Sequence, residues 1–204
     1  MRRVLGLIVT LAASACARHV YSAPDPAEAR ATPVNAKPAI VVSAVSSVDA
    51  VDYLLARGIL IPVAGASLGQ LRDSFDEERD GGRTHRALDI MASRGTPILS
   101  ADSGRILRLS TNTLGGNIIY ASDPLGRIVY YYAHLDAYQP GLVQGAMVAR
   151  GDTIGFVGTT GNAPKDTPHL HFQVMRMPAD GKYWDGDPIN PYPLILLSHD
   201  PARP

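Results

Sequence analysis

The segment Pro168-His169-Leu170-His171-Phe172-Gln173-Val174 alternates between polar and apolar side chains. A period of two is the signature of a β-strand, whose successive side chains point to opposite faces. His169, His171 and Gln173 therefore share one face, and Leu170, Phe172 and Val174 share the other. The apolar face needs a core to cover it. The polar face opens to solvent or to a groove. On this motif alone it reads equally as two solvated histidines or as part of a site.

Short strands between turns account for most of what surrounds this segment. Pro97 to Leu99 and Arg105 to Leu109 flank Asp102-Ser103-Gly104, which predicts a hairpin. Asn117 to Ala121 and Arg127 to Ala133 flank Asp123-Pro124-Leu125-Gly126, which predicts a second. Thr153 to Val157 predicts a short strand. One short amphipathic helix precedes them. Val48, Val51, Leu54 and Leu55 fall on one face, Ser47 is a candidate N-cap, and Gly58 a C-terminal stop. The expected fold class is mainly β, with antiparallel sheet and a short N-terminal helix.

The first residues read as an address. Met1-Arg2-Arg3 is basic, and Val4 to Ala13 is an apolar run too short to span a bilayer alone. Ala13-Ser14-Ala15-Cys16 follows, similar to the lipobox of bacterial lipoproteins, with Ala13 where Leu is usual. The expectation is lipidation at Cys16. The alternative is an ordinary signal peptide cut near Ala15 or beyond, with Cys16 incidental. These readings divide the chain into a signal peptide (1–15), a Pro- and Ala-rich linker (16–46), the helix (47–60), the β body (61–197) and a tail (198–204). With 19 basic and 19 acidic side chains, nothing argues for a nucleic-acid partner. Cys16 is the single cysteine, so no intramolecular disulfide is possible.

Four of the six histidines fall within the β body, the exceptions being His19 in the linker and His199 in the tail. His85 and Asp89 are four apart, a separation of roughly 13 Å along a straight strand. Holding one ion between them requires the chain to bend. His134 follows the aromatic run Tyr130-Tyr131-Tyr132-Ala133, where an isolated histidine is usually structural.

Taken together and in order, His-x-x-x-Asp, Tyr-Ala-His-Leu and His-Leu-His-Phe resemble the lysostaphin/LytM-type zinc metallopeptidases. The frame from about Ile61 to Pro193 fits as well, including Ala92-Ser93-Arg94-Gly95-Thr96-Pro97 and Gly151 to Gly161. The resemblance implies a zinc-floored groove, one Zn2+ bound by His85, Asp89 and His171, and catalytic roles for His134 and His169. Three protein ligands leave an open coordination position, as in catalytic sites. The last glutamate is Glu78, so no Glu within or after the motifs can move the proton, and histidines suit that work. Two positions depart from the family pattern: Ala87 stands where Gly is frequent, and Gln173 where Glu is frequent. Arg79 and Arg83 occupy the approach from which some relatives contribute a tyrosine.

The implied partner is the peptide part of peptidoglycan, with D-Ala–diaminopimelate cross-links as the expected bond. The implied location is the periplasmic face of the outer membrane through a lipid anchor, or the soluble periplasm without one. The rival expectations are a non-catalytic activator of cell-wall amidases and a lipoprotein whose zinc is only structural.

Overall fold

A computed structural model describes residues 47–79 and 81–200. The signal segment, the linker, His19 and Cys16 lie outside the described residues. The element order is α1 (Ser47–Arg57), β1 (Glu78–Arg79), β2 (Arg83–Thr84), β3 (Leu88–Met91), β4 (Pro97–Leu99), β5 (Gly104–Asn112), β6 (Gly116–Ser122), β7 (Ile128–Tyr138), β8 (Met147–Val148), β9 (Thr153–Val157), β10 (His169–Arg176), β11 (Asp187–Ile189) and α2 (Pro191–Ser198). Strands β1 and β2 form a separate hairpin; the other nine form one antiparallel sheet. Its main path runs β11-β10-β7-β6-β5-β8, with β3 on β10 and β9 bridging β4 and β7. Among the described residues no helix is long and apolar enough to cross a membrane.

The alternation of β10 is realised as expected. Leu170, Phe172 and Val174 are fully buried, packed in one core with Leu88, Ile90, Tyr130 and Tyr132. Burying each large apolar side chain contributes about 1.5–3 kcal/mol. This apolar face clamps β10, so its other face is held still. Strand β7 supports it by pairing with β10 through Ala133 and with β9 from Leu135 onward. His134 sits where β7 changes partner, with φ 66°. The β6–β7 register shifts at the same place, Asn117 facing Leu135 but Ile119 facing Tyr132. One extra residue on β7 is a β-bulge, a device that re-aims a side chain.

The hairpin expected around Asp123 to Gly126 joins β6 to β7. The one expected around Asp102-Ser103-Gly104 does not form: β4 pairs with β9, and β5 with β6 and β8. The reason is the inward turn of Asp102. Its buried carboxylate accepts Arg57 Nε at 2.6 Å and Nη2 at 2.7 Å, the Ser103 amide at 2.8 Å and the Tyr130 hydroxyl at 3.1 Å. Arg57 thus ties α1 to the sheet, and Gly58 ends the helix at φ 65°. Helix α2 was not anticipated in the β body. Asn190 caps it by accepting the Tyr192 amide at 2.9 Å, Pro191 opens it, and Leu194 and Ile195 bury against the core.

The Asp102 tie predicts a measurable loss. Asp102→Asn is expected to cost about 3 kcal/mol, the low end for breaking a buried pair, because Arg57 is a quarter exposed. Burial opposes the Asp102 charge, but Arg57, the Ser103 amide and Tyr130 outweigh it and lower its pKa. A carboxylate with a lowered pKa stabilises fully above about pH 4 and loses that contribution as acid protonates it. Urea unfolding of wild type and variant should differ at about pH 7, and the difference should narrow as pH falls below about 4. Equal stability at neutral pH contradicts the tie.

Candidate metal centre and groove

Three strands bring the site together. In the β3–β10 ladder Asp89 faces His171, and in the β10–β7 ladder His171 faces Ala133. Directly opposed residues have Cβ atoms about 4.5–5.5 Å apart, so Asp89 and His171 meet by register alone. His85 reaches them through a bend. Arg86 adopts φ 56°, and the turn places His85 Nε2 2.9 Å from Asp89 Oδ1. The left-handed conformation therefore falls on Arg86, and Ala87 keeps a negative φ and is fully buried.

The donor atoms form a triangle. His85 Nε2 lies 3.0 Å from His171 Nδ1, and Asp89 Oδ1 lies 2.9 Å from the first and 3.3 Å from the second. Tetrahedral ligands at about 2.0–2.2 Å from one ion lie about 3.3–3.6 Å apart, so the triangle is slightly tight but of the right size. His85 Nδ1 donates to the Ser74 carbonyl at 2.8 Å, which leaves Nε2 with its lone pair. Asp89 Oδ1 is buried and has no hydrogen-bond partner among the described residues. Lone pairs converging on a buried, unpartnered carboxylate oxygen are costly without a cation among them. The residues present fit a bound metal ion.

The ionisation states agree. Burial opposes the Asp89 charge; when an imidazole beside it carries a proton, His171 before His85, that ring holds the Asp89 carboxyl well below the usual carboxylate range. Burial pushes His171 down from its ordinary value, so it stays neutral and able to ligate.

The other two histidines stand beside the triangle. The His134 ring is 4.9 Å from that of His169 and 5.6 Å from that of His171. His134 Nδ1 donates to the Thr160 carbonyl at 2.9 Å, and His169 Nδ1 to the Thr167 carbonyl at 2.9 Å. Both rings are thereby fixed with Nε2 bare. Burial pushes His134 down to about 4. All five residues anticipated from the sequence are gathered here. His199 instead donates Nδ1 to Ile195 at the end of α2.

Sequence reasoning missed the parts that orient these rings. Thr160 Oγ1 donates to the Leu135 carbonyl at 2.7 Å and accepts the Asn117 amide at 2.9 Å, which fixes its own carbonyl against His134. This works because Gly116, at φ 64°, lets the β5–β6 turn touch Thr160: an added Cβ would lie 2.2 Å from Thr160 Oγ1. Arg79, noted earlier only for its position, donates Nη2 to Asp89 Oδ2 at 2.6 Å. The five residues line a groove of about 1480 Å³. Small-molecule pockets span about 300–1,000 Å³, so this one suits a longer, extended ligand. One wall is the β1–β2 hairpin with Arg79 and Arg83; the other carries Leu114 and Pro164.

A groove whose sheet-borne floor holds three N/O metal donors beside two oriented imidazoles defines a hydrolytic metal centre. Residues 83–191 match peptidase family M23, and the chain belongs to that family. It is 34% identical over 101 residues to an L-Ala–D-Glu endopeptidase of Bacillus subtilis, covering 47% of this chain and 31% of that protein. It is 36% identical over 94 residues to the peptidoglycan DD-endopeptidase ShyC of Vibrio cholerae, covering 46% and 20%. Among solved structures, the antimicrobial peptidase lysostaphin of Staphylococcus simulans matches with TM-score 0.53 and 26% identity, over 66% of this chain and 52% of that one. The matched stretch spans less than a third of either curated relative. The LytM-type resemblance and the mainly antiparallel β class both hold.

Two outcomes follow from the way His134 is held. In the metal-free protein its imidazole should remain unprotonated at about pH 6 and take a proton only near pH 4. A folded pKa below the ordinary 6.5 penalises the fold as pH falls through that window. NMR titration of the side chain measures it, and a midpoint near 6.5 contradicts the burial argument. Gly116→Ala should displace Thr160 from His134. It is expected to cost at least about 1–3 kcal/mol of stability and to lower activity while metal content is kept. Unaltered stability and rate would show that the turn does not position His134.

Proposed function

We propose that the protein is a zinc endopeptidase that hydrolyses peptide cross-links in peptidoglycan, the D-Ala–diaminopimelate bond in particular. The observation that carries this reading is the metal-donor triangle next to two imidazoles with bare Nε2 atoms, in a groove sized for an extended peptide. The donors are two imidazole nitrogens and one carboxylate oxygen, a set that suits zinc. The names of the Vibrio relative, a peptidoglycan DD-endopeptidase, and of the Bacillus relative, an L-Ala–D-Glu endopeptidase, support the substrate class.

A bound zinc supplies Lewis-acid polarisation of the scissile carbonyl and of the attacking water. The chain's own residues do the rest. His85 Nε2, His171 Nδ1 and a carboxylate oxygen of Asp89 would hold the ion. His134 and His169 handle the proton at Nε2, accepting it from water and returning it to the departing amine. Their Nδ1–H bonds to Thr160 and Thr167 hold the tautomer that this exchange requires. As positive charge develops on either ring, it can stabilise the oxyanion.

The proposal includes the cell envelope as the site of action, with Cys16 as the lipidated residue that anchors the chain at the outer membrane. Labelling with a palmitate analogue tests the anchor: wild type should label, and Cys16→Ala should not.

Purified protein should convert cross-linked muropeptide dimers to monomers, lose that activity to a chelator, and regain it with zinc. Asp89→Ala should lose its zinc. His134→Ala and His169→Ala should keep zinc and fold but lose about 10²–10⁴-fold in turnover. Chromatography of the digests reads the outcome. Persisting dimers with a zinc-loaded, folded wild type would overturn the activity, and near-normal turnover in either histidine variant would remove it from the mechanism.

A further inference from the structure

The geometry assigns Arg79 a positioning role: it holds Asp89 so that one carboxylate oxygen, and not two, faces the metal donors. This deepens the zinc reading and rests on it. Arg79 ends the two-residue strand β1, in a hairpin whose pairing sets Arg79 opposite Arg83. From there its guanidinium reaches the floor of the groove, and Nη2 donates to Asp89 Oδ2 at 2.6 Å. Glu77 Oε2 lies 3.5 Å from the same nitrogen and steadies the guanidinium from the hairpin side. The two oxygens of Asp89 are therefore divided. Oδ1 faces His85 and His171 at 2.9 and 3.3 Å, and Oδ2 faces Arg79.

The division matters because a carboxylate turns easily about its last torsion, which is broad and roughly two-fold. Left free, Asp89 could present its other oxygen, or both. Two-oxygen ligation would take up the coordination space that a catalytic site must leave for water and substrate. Arg79 prevents that with a charge-assisted hydrogen bond of short, strong geometry. An exposed ion pair elsewhere on the surface would have little such effect. Here Asp89 is mostly buried, its side chain 18% exposed, so the bond controls a constrained group. Arg79 Nε is also buried and has no partner among the described residues. The guanidinium thus gives up hydration at one nitrogen while another holds Oδ2, an arrangement that solvation alone would not select.

Two opposing effects can be separated. Losing an orienting partner of a metal ligand typically weakens metal binding about 10–100-fold. Removing a cation next to a dication would by electrostatics strengthen it. Positioning therefore predicts weaker binding, and simple charge repulsion predicts tighter binding. Lysine keeps the charge but not the planar fork, so it should restore only part of the effect.

The test compares full-length wild type, Arg79→Met and Arg79→Lys. Zinc affinity is measured by competition with a chromogenic chelator, unfolding temperature on the metal-free proteins, and kcat and KM on a muropeptide dimer. Arg79→Met is expected to bind zinc about 10–100-fold more weakly, with kcat reduced more than KM and the metal-free unfolding temperature close to wild type. Arg79→Lys should fall between the two, and it carries the comparison if Arg79→Met does not fold. Zinc affinity in the variants equal to or tighter than wild type overturns the positioning role while leaving the zinc reading intact. Absence of zinc binding by the wild type overturns the zinc reading itself, and the role of Arg79 with it.

Discussion

Everything at the site depends on the register of three antiparallel strands. β10 lies between β3 and β7, and its pairing sets His171 opposite Asp89 on one side and Ala133 on the other. A slip of one residue in either ladder would turn His169 and His171 into the core and bring Leu170 and Phe172 out into the groove. That slip is prohibited by the fully buried face of β10, where Phe172 packs against the rings of Tyr130 and Tyr132 and Leu170 and Val174 join the same core. The hydrophobic effect thus fixes the positions of the polar donors, although it acts on the opposite side of the strand.

Regular sheet alone would not complete the constellation. Among the described residues two non-glycines, Arg86 and His134, adopt left-handed backbone, each at a cost of about 1–2 kcal/mol. The first bend folds His85 back over Asp89. The second is the bulge at which β7 passes from β10 to β9 and aims His134 at His169. Both lie at the site, Arg86 between the donors His85 and Asp89 and His134 beside the donor triangle, in keeping with the tendency of backbone strain to collect at functional sites. Around them the chain supplies fixed acceptors: the Ser74, Thr160 and Thr167 carbonyls each take an imidazole Nδ1–H and so determine which nitrogen remains bare.

Much of this was legible in the sequence where the signal was local. The alternation from His169 to Val174 is the strand β10 and its two faces. Asp123 to Gly126 is the β6–β7 turn, and Gly58 ends α1. The need for a bend between His85 and Asp89 could be stated from strand geometry, but not that Arg86 would make it. Non-local choices were hidden. Asp102-Ser103-Gly104 has the composition of a hairpin turn, yet Asp102 is taken by Arg57 from 45 residues away, and the flanking strands find other partners. Helix α2 is too short, and too uniformly apolar, to display a helical period. Thr160 and Arg79 act through a backbone carbonyl and an ion pair between two separate strands, neither of which leaves a pattern in the residue order.

The division of the five residues is the central claim: His85, Asp89 and His171 hold a single metal ion while His134 and His169 stay off it. X-ray diffraction from crystals of the zinc-loaded protein, collected on either side of the zinc absorption edge, tests it directly. The expected anomalous map has one peak in the groove, bonded to His85 Nε2, His171 Nδ1 and a single oxygen of Asp89, with the Nδ1 atoms of His134 and His169 still on their carbonyls. A groove without a peak, or a peak bonded to His134 or His169 in place of those three, would contradict it.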